Sequence, residues 1–279
     1  MFMEHIEGTF TQTGIGKLYY QGWLPDGEVR AVVVVFHGLA EHGGRYINVV
    51  SQLVPQGFAV YALDLIGHGK SSGDRLYVNC FEHLTDPLKT FLDMVKTWQP
   101  GKKVFMLAHS MGGLVGAYFL LDHQDELDGA AISGALTKVP DNITPITMFM
   151  AKALAKLAPK VRLAGVDSSG ISRDPDEVAA YVNDPLVYGG NTTARMGAEM
   201  IRAMERVKAE MDQITLPVLI LHGGSDYLSD PEASQLLYDG VGSEDKSLKI
   251  YEGYYHEIYN DIGKEVPLAD LLAWLEAHS

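Results

Sequence analysis

Residues Lys103 to Gly113, which read Lys-Val-Phe-Met-Leu-Ala-His-Ser-Met-Gly-Gly, set one continuous apolar run directly against another, with a single serine among small residues at the junction. The first run has the length of a strand buried on both faces, and the second continues as a helix to about His123. Only a sharp turn can join them, so Ser110 stands at the apex of a strand, a turn and a helix. A hydroxyl is a weak nucleophile: an enzyme that uses one must expose it, set a base beside it and supply N–H donors for the oxyanion. The turn does the first and third of these. It lifts the serine above the sheet edge and aims the N–H of the next residue, Met111, from a helix N-terminus at developing negative charge. Ser110 is therefore the candidate nucleophile. Ala108 occupies a position where such turns mostly carry glycine; one methyl is a mild intrusion where Val or Leu would be a serious one. Alone the pattern is weak, because a buried strand can run into a Ser-Gly turn by chance.

The rest of the chain supplies the setting. Two alternating runs, Ile6 to Thr13 and Lys17 to Trp23, predict an antiparallel hairpin at a sheet edge, turning at Gly14 and Gly16. Ala31 to Phe36 is a continuous, largely β-branched run, and Phe58 to Asp64 a further strand, with a helix over Tyr46 to Val54 between them. A helix is predicted from Thr85 to Trp98, since Leu84, Leu88, Phe91, Leu92 and Val95 fall at helical spacing. Short strands follow at Leu127 to Ser133, Leu216 to His222 and Ser247 to Tyr251, and Leu268, Leu271, Leu272 and Leu275 mark a closing helix. This alternation predicts an α/β fold with a mostly parallel central sheet, right-handed crossovers and helices on both faces. Ligands of such sheets bind at the carboxyl ends of the strands.

From Leu136 to Gly190 the alternation breaks, with prolines at 140, 145, 159, 175 and 185 and no strand-like run. The expected organisation is a core of residues 1–135 and 191–279 with a helical cap, or lid, inserted at 136–190. In the cap, Ile146, Phe149, Met150, Ala153, Leu154 and Leu157 share one helical face, while Lys152, Lys156 and Lys160 run along another. The apolar face, Ile146, Phe149, Met150 and Leu154 above all, is expected to wall an acyl-chain pocket. The lysine side could rest transiently on a micelle or membrane surface, though plain solvation of the lysines is the stronger reading.

Composition narrows the partners. A net charge of -14 argues against nucleic acid and against anionic membrane, and favours neutral or small substrates. The single cysteine, Cys80, excludes an intramolecular disulfide and a thiolate metal cluster. No metal or organic cofactor is called for. Glu4, His5 and Glu7 interrupt an N-terminus without a long apolar run, so neither signal peptide nor membrane span is expected, and a cytoplasmic location is. The loops Gly38 to Gly44 and Gly67 to Gly73 lack the spacing of dinucleotide or phosphate-binding motifs.

A serine base needs an imidazole, and the imidazole a carboxylate to set its tautomer. Asp226, after the strand ending at His222, and His256, after the strand ending at Tyr251, give the chain order Ser, Asp, His of an α/β-hydrolase. Asp226 could merely cap a helix, but Asp230 before Pro231 suits that role better. After the run Ala31 to Phe36, the backbone N–H of Leu39 is the expected second oxyanion donor beside that of Met111.

The stretches Phe36-His37-Gly38-Leu39-Ala40-Glu41-His42 with Arg45-Tyr46, Asp64 to Ser71, His109 to Gly113, His222 to Asp226 and Tyr251 to Tyr259 together resemble the monoacylglycerol lipase and lysophospholipase branch of the serine α/β-hydrolases. The cap segments Ser172 to Pro175 and Asp184 to Val187 are similar to bacterial members. The resemblance implies a nucleophile at Ser110, an acid at Asp226, a base at His256, oxyanion donors at Leu39 and Met111, and a monoacylglycerol substrate cleaved to fatty acid and glycerol. A general carboxylesterase or lysophospholipase with the same triad is the alternative; a binding protein on a lapsed hydrolase fold is a further one, because fold alone proves no activity.

Overall fold

The computed structural model describes residues 3–139 and 153–279. In chain order its strands are β1 (Glu4–Gln12), β2 (Gly16–Leu24), β3 (Ala31–Phe36), β4 (Phe58–Leu63), β5 (Val104–His109), β6 (Gly129–Ser133), β7 (Val218–Gly223) and β8 (Lys246–Tyr251). Its helices are α1 (Ile47–Leu53), α2 (Glu82–Trp98), α3 (Met111–His123), α4 (Pro175–Asn183), α5 (Ala194–Glu210), α6 (Pro231–Gly240) and α7 (Glu265–His278). One eight-stranded sheet has the order β1-β2-β4-β3-β5-β6-β7-β8. Pairing is antiparallel from β1 to β2 and from β2 to β4, and parallel from β4 onward.

The period of two along each strand divides the core into two layers. Val32, Val34 and Phe36 of β3, Met106 and Ala108 of β5 and Ile220 of β7 pack with α2, α3, α5 and α6. Val33 and Val35, Phe105 and Leu107, and Leu219 and Leu221 face α1 and α7 on the other side. Burial of each Val or Leu contributes on the order of 1.5–3 kcal/mol, and β3, buried at all six positions, lies near the middle of the sheet where both layers cover it. Strand β8, at the edge, buries only Tyr251.

Helix α2 begins at Glu82 rather than Thr85. Its first residues carry no local side-chain cap, and Pro87 looks like a first-turn proline of a later start. The Phe81 N–H instead donates to the carboxylate of Glu199, at 3.2 Å, on the distant helix α5. Within 136–190 the described residues include helical residues 153–157 and helix α4. The segment is tied to the core by Arg173 with Asp261 (2.9 Å), His42 with Asp184 (2.9 Å), and the Tyr188 N–H donating to Ala40 O (2.8 Å). Among the described residues no helix is long and apolar enough to cross a membrane.

Two helical glycines test how closely α3 meets the sheet. A Cβ at Gly112 would strike the carbonyl oxygen of Phe36 and lie 2.5 Å from that of His37, backbone atoms that cannot rotate aside, whereas one at Gly197 in α5 would meet nothing within 4 Å. Alanine gains about 1 kcal/mol over glycine in a helix, and overpacking costs about 1–3 kcal/mol or more. Urea denaturation should therefore show Gly197→Ala stabilised by roughly 0.5–1 kcal/mol and Gly112→Ala destabilised by about 2 kcal/mol. Equal effects at the two positions would contradict the packing described.

Candidate active site

The carboxyl ends of β3, β5, β7 and β8 lie along one edge of the sheet because these strands are parallel. At the end of β5, Ser110 has φ 56° and ψ -120°, a conformation that costs a non-glycine residue on the order of 1–3 kcal/mol. Neighbours hold it there. Its N–H donates to Ser133 O at 2.9 Å, and its carbonyl accepts from the N–H groups of Leu114 and Leu136, each at 3.2 Å. Ala108 is accommodated by an absence: a Cβ at Gly116 of α3 would come within 3.0 Å of the Ala108 methyl, so the glycine that the turn lacks before the serine is supplied by the helix after it.

After β7, Asp226 is buried and all its acceptor capacity is in use. Oδ2 accepts from His256 Nδ1 at 2.6 Å and from His222 Nε2 at 3.0 Å, and Oδ1 accepts from the N–H groups of Leu228 (2.8 Å) and Ser229 (3.0 Å). Burial raises the carboxyl pKa, but the His256 charge and the hydrogen bonds from His222 and His256 outweigh it, and the group is held well below the usual range. His222 Nε2 also lies 3.0 Å from Ser229 O, an atom that only accepts, so Nε2 carries the proton and Nδ1 accepts from the Ser234 hydroxyl at 2.6 Å. His222 thus props the carboxylate from behind.

His256 is buried, which disfavours its charged form, yet the charge and hydrogen bond of Asp226, with Glu257 and Glu41 further off, raise its pKa above the ordinary value. With Nδ1 committed to Asp226, Nε2 is the nitrogen left for proton exchange. The ring of His109 packs against it with centroids 4.7 Å apart, and burial together with the neighbouring His256 keeps His109 well below the ordinary histidine pKa. Asp230 caps α6 by accepting from the Glu232 N–H at 2.9 Å, leaving Asp226 to the histidines.

Ser110, His256, Leu39 and Gly38 all line one cavity of about 550 Å³. Met111 opens α3, and the first N–H groups of a helix have no intrahelical acceptor. The cavity walls are largely apolar, with Leu136, Leu163, Val166, Met200, Ile201 and Met204 prominent. Ile146, Phe149, Met150 and Lys152 lie outside the described residues. Leu154 is half-buried but does not line the cavity, Leu157 is 84% exposed, and Lys160 pairs with Asp74 at 2.5 Å. Among the described residues the wall is built by 163–167 and by the α5 face that carries Met200 and Met204.

Sequence reasoning missed the charged group beside the histidine. Glu41 accepts from the Gly38 N–H (2.6 Å) and the Tyr46 hydroxyl (2.9 Å), and Arg45 reaches both Glu41 and Glu257. Arg45 also lies over the ring of cavity-lining Tyr181 at 4.5 Å. Burial raises the Glu257 pKa against the pull of Arg45. The four-residue spacing of Glu41 and Arg45 was the available signal, but their third partner comes from the other end of the chain.

The match to known proteins covers most of the chain. A family model described as serine aminopeptidase, S33, matches residues 27–263. The monoacylglycerol lipase of Mycolicibacterium smegmatis is 35% identical over 272 residues, covering 98% of this chain and 97% of that one. The monoglyceride lipase of Homo sapiens is 33% identical over 246 residues, covering 88% and 81%. The crystal structure of a soluble variant of monoglyceride lipase from Saccharomyces cerevisiae in complex with a substrate analogue has a TM-score of 0.87 at 25% identity, covering 98% of this chain and 95% of that one. With the strand order, the elbow and this end-to-end similarity in agreement, the chain belongs to the serine aminopeptidase S33 family of hydrolytic enzymes and has the α/β-hydrolase fold.

Proposed function

We propose that the chain cleaves the ester bond of monoacylglycerols to fatty acid and glycerol through an acyl-enzyme on Ser110. The observation that carries this reading is the 2.6 Å bond from His256 Nδ1 to Asp226, which leaves the opposite ring nitrogen for a second partner on a residue that lines the same cavity as Ser110. His256 Nε2 takes the Ser110 proton as Oγ attacks the carbonyl carbon, and the N–H groups of Leu39 and Met111 receive the oxyanion. The imidazolium then protonates the departing glycerol oxygen. Water, deprotonated by the same ring, attacks the acyl carbonyl; the bond to Ser110 Oγ breaks, the ring returns the proton to Oγ, and the fatty acid leaves. The apolar wall from Leu163 to Met204 suits an acyl chain, and the relatives named as monoacylglycerol and monoglyceride lipases support the glycerol ester.

In this proposal residues 136–190 form the cap over the cavity. Exposed Leu157, Val161 and Leu163, near Lys156 and Lys160, would meet a micelle or membrane surface. The proposal includes a cytoplasmic location, which cell fractionation tests.

Rates on monoacylglycerols of increasing length, beside diacylglycerols, lysophospholipids and p-nitrophenyl esters, test the substrate. Monoacylglycerols should be preferred; better turnover of short simple esters would establish a general carboxylesterase instead. Ser110→Ala should lower hydrolysis by roughly 10⁴-fold or more. Met200→Trp, which fills the cavity from the α5 side, should slow long-chain esters about 10-fold or more while changing acetyl ester turnover little. Equal losses on both would remove the acyl chain from this wall.

The pH profile follows from the base. His256 must be neutral to accept the proton and its pKa is raised, so kcat/KM should rise with pH through an inflection above the ordinary 6.5. Asp226→Asn removes the charge that raises it, so the inflection should move to lower pH while kcat falls by roughly 10³–10⁴. An inflection that stays in place in Asp226→Asn would assign the titration to another group.

A further inference from the structure

We propose that His37 is a positioning residue, which fixes the plane of the Gly38–Leu39 peptide so that the Leu39 N–H faces the oxyanion. The inference rests on the acyl-enzyme reading and goes beyond it, since His37 is fully buried and does not line the cavity.

Both ring nitrogens of His37 are taken up by backbone. The Leu65 N–H lies 2.9 Å from Nε2, and an amide N–H can only donate, so Nε2 is the bare nitrogen. The proton is therefore on Nδ1, which donates to Gly38 O at 2.8 Å. Leu65 follows β4, which pairs directly with β3, so the ring is braced against the sheet itself. Burial drives the His37 pKa down to about 3, and the ring keeps this neutral tautomer across the working pH range.

Gly38 O and the Leu39 N–H belong to one trans peptide unit and point in opposite directions from it. A clamp on the oxygen is thus a clamp on the direction of the donor. The preceding peptide is held as well, by the Gly38 N–H bonded to Glu41 Oε1 at 2.6 Å. Such clamps matter at this position because the residue between them is glycine. A Cβ there would lie 2.8 Å from Glu41 Oε1 and 3.3 Å from Ser110 Cβ, so the site excludes the side chain that would otherwise restrict the backbone. Side-chain hydrogen bonds supply the rigidity that preorganised oxyanion stabilisation needs.

Three variants separate the two bonds. In His37→Asn the amide nitrogen takes the place of Nδ1 and can still donate to Gly38 O; His37→Gln reaches the place of Nε2 and serves Leu65 only; His37→Ala serves neither. Each is assayed below its own melting temperature for kcat and KM on a soluble ester, and for inhibition by a boronic acid, which forms a tetrahedral adduct on the serine. His37→Ala and His37→Gln should lose roughly 10–100-fold in kcat, less than deletion of an oxyanion donor, with KM changed little and boronate affinity lowered by a similar factor. His37→Asn should recover most of both, and the acid limb of the pH profile should not move in any of them.

Boronate affinity unchanged in His37→Gln, or His37→Asn no better than His37→Gln, would overturn the proposal. Phosphonate labelling of the wild-type serine keeps the two readings apart. Labelling of Ser110 together with normal kinetics in His37→Gln sinks the positioning role alone, whereas failure to label Ser110 sinks the acyl-enzyme reading and this inference with it.

Discussion

Helix α3 meets the sheet at a distance set by the missing side chain of Gly112, which sits against the backbone oxygens of Phe36 and His37. That contact brings the N-terminus of α3 beside the loop after β3. It also leaves the chain between β5 and α3 one residue in which to reverse, which is why Ser110 takes a positive φ. The strain is contained by bonds to β6 and to the start of α3 itself, so the turn is held by the same sheet that it protrudes from.

Around this turn, charge is placed by saturation. Asp226 has four donors on two oxygens, two of them imidazole and two backbone. A buried carboxylate satisfied this fully stays ionised and does not move, and its fixed charge raises the proton affinity of His256. His222 bears on the same atom from behind and takes its own orientation from Ser229 and Ser234. Opposite, Glu41, Arg45 and Glu257 bind the loop after β3 to the residue that follows His256, so the two halves of the site share one ionic link.

The buried strands, the serine turn and the places of Ser110, Asp226 and His256 after strand ends were legible because each is written locally. A strand covered on both faces must be apolar throughout, and a residue at a strand end is carried to the common edge by any parallel sheet. The hairpin and helices α1 and α3 were readable within a residue or two for the same reason. The start of α2 was not, because the acceptor for Phe81 N–H is Glu199, more than a hundred residues away. The cavity wall was assigned to the face running from Ile146 to Leu154; in the described residues it is built by Leu163, Val166 and the methionine face of α5, and Leu154 is not part of it. Both segments are apolar, and periodicity shows that a face is buried without showing what it is buried against.

The sequence by itself determined which residues could do chemistry and in what order the strands would present them, since burial and alternation are properties of short segments. Tertiary structure alone decided how those groups are held. The tautomer of His37, the bond from His256 to Asp226 and the sharing of Arg45 between Glu41 and Glu257 all depend on hydrogen bonds between segments far apart in the chain. Hydrogen bonds are directional over about 3 Å, and no spacing along a sequence specifies a distance of that kind across a fold.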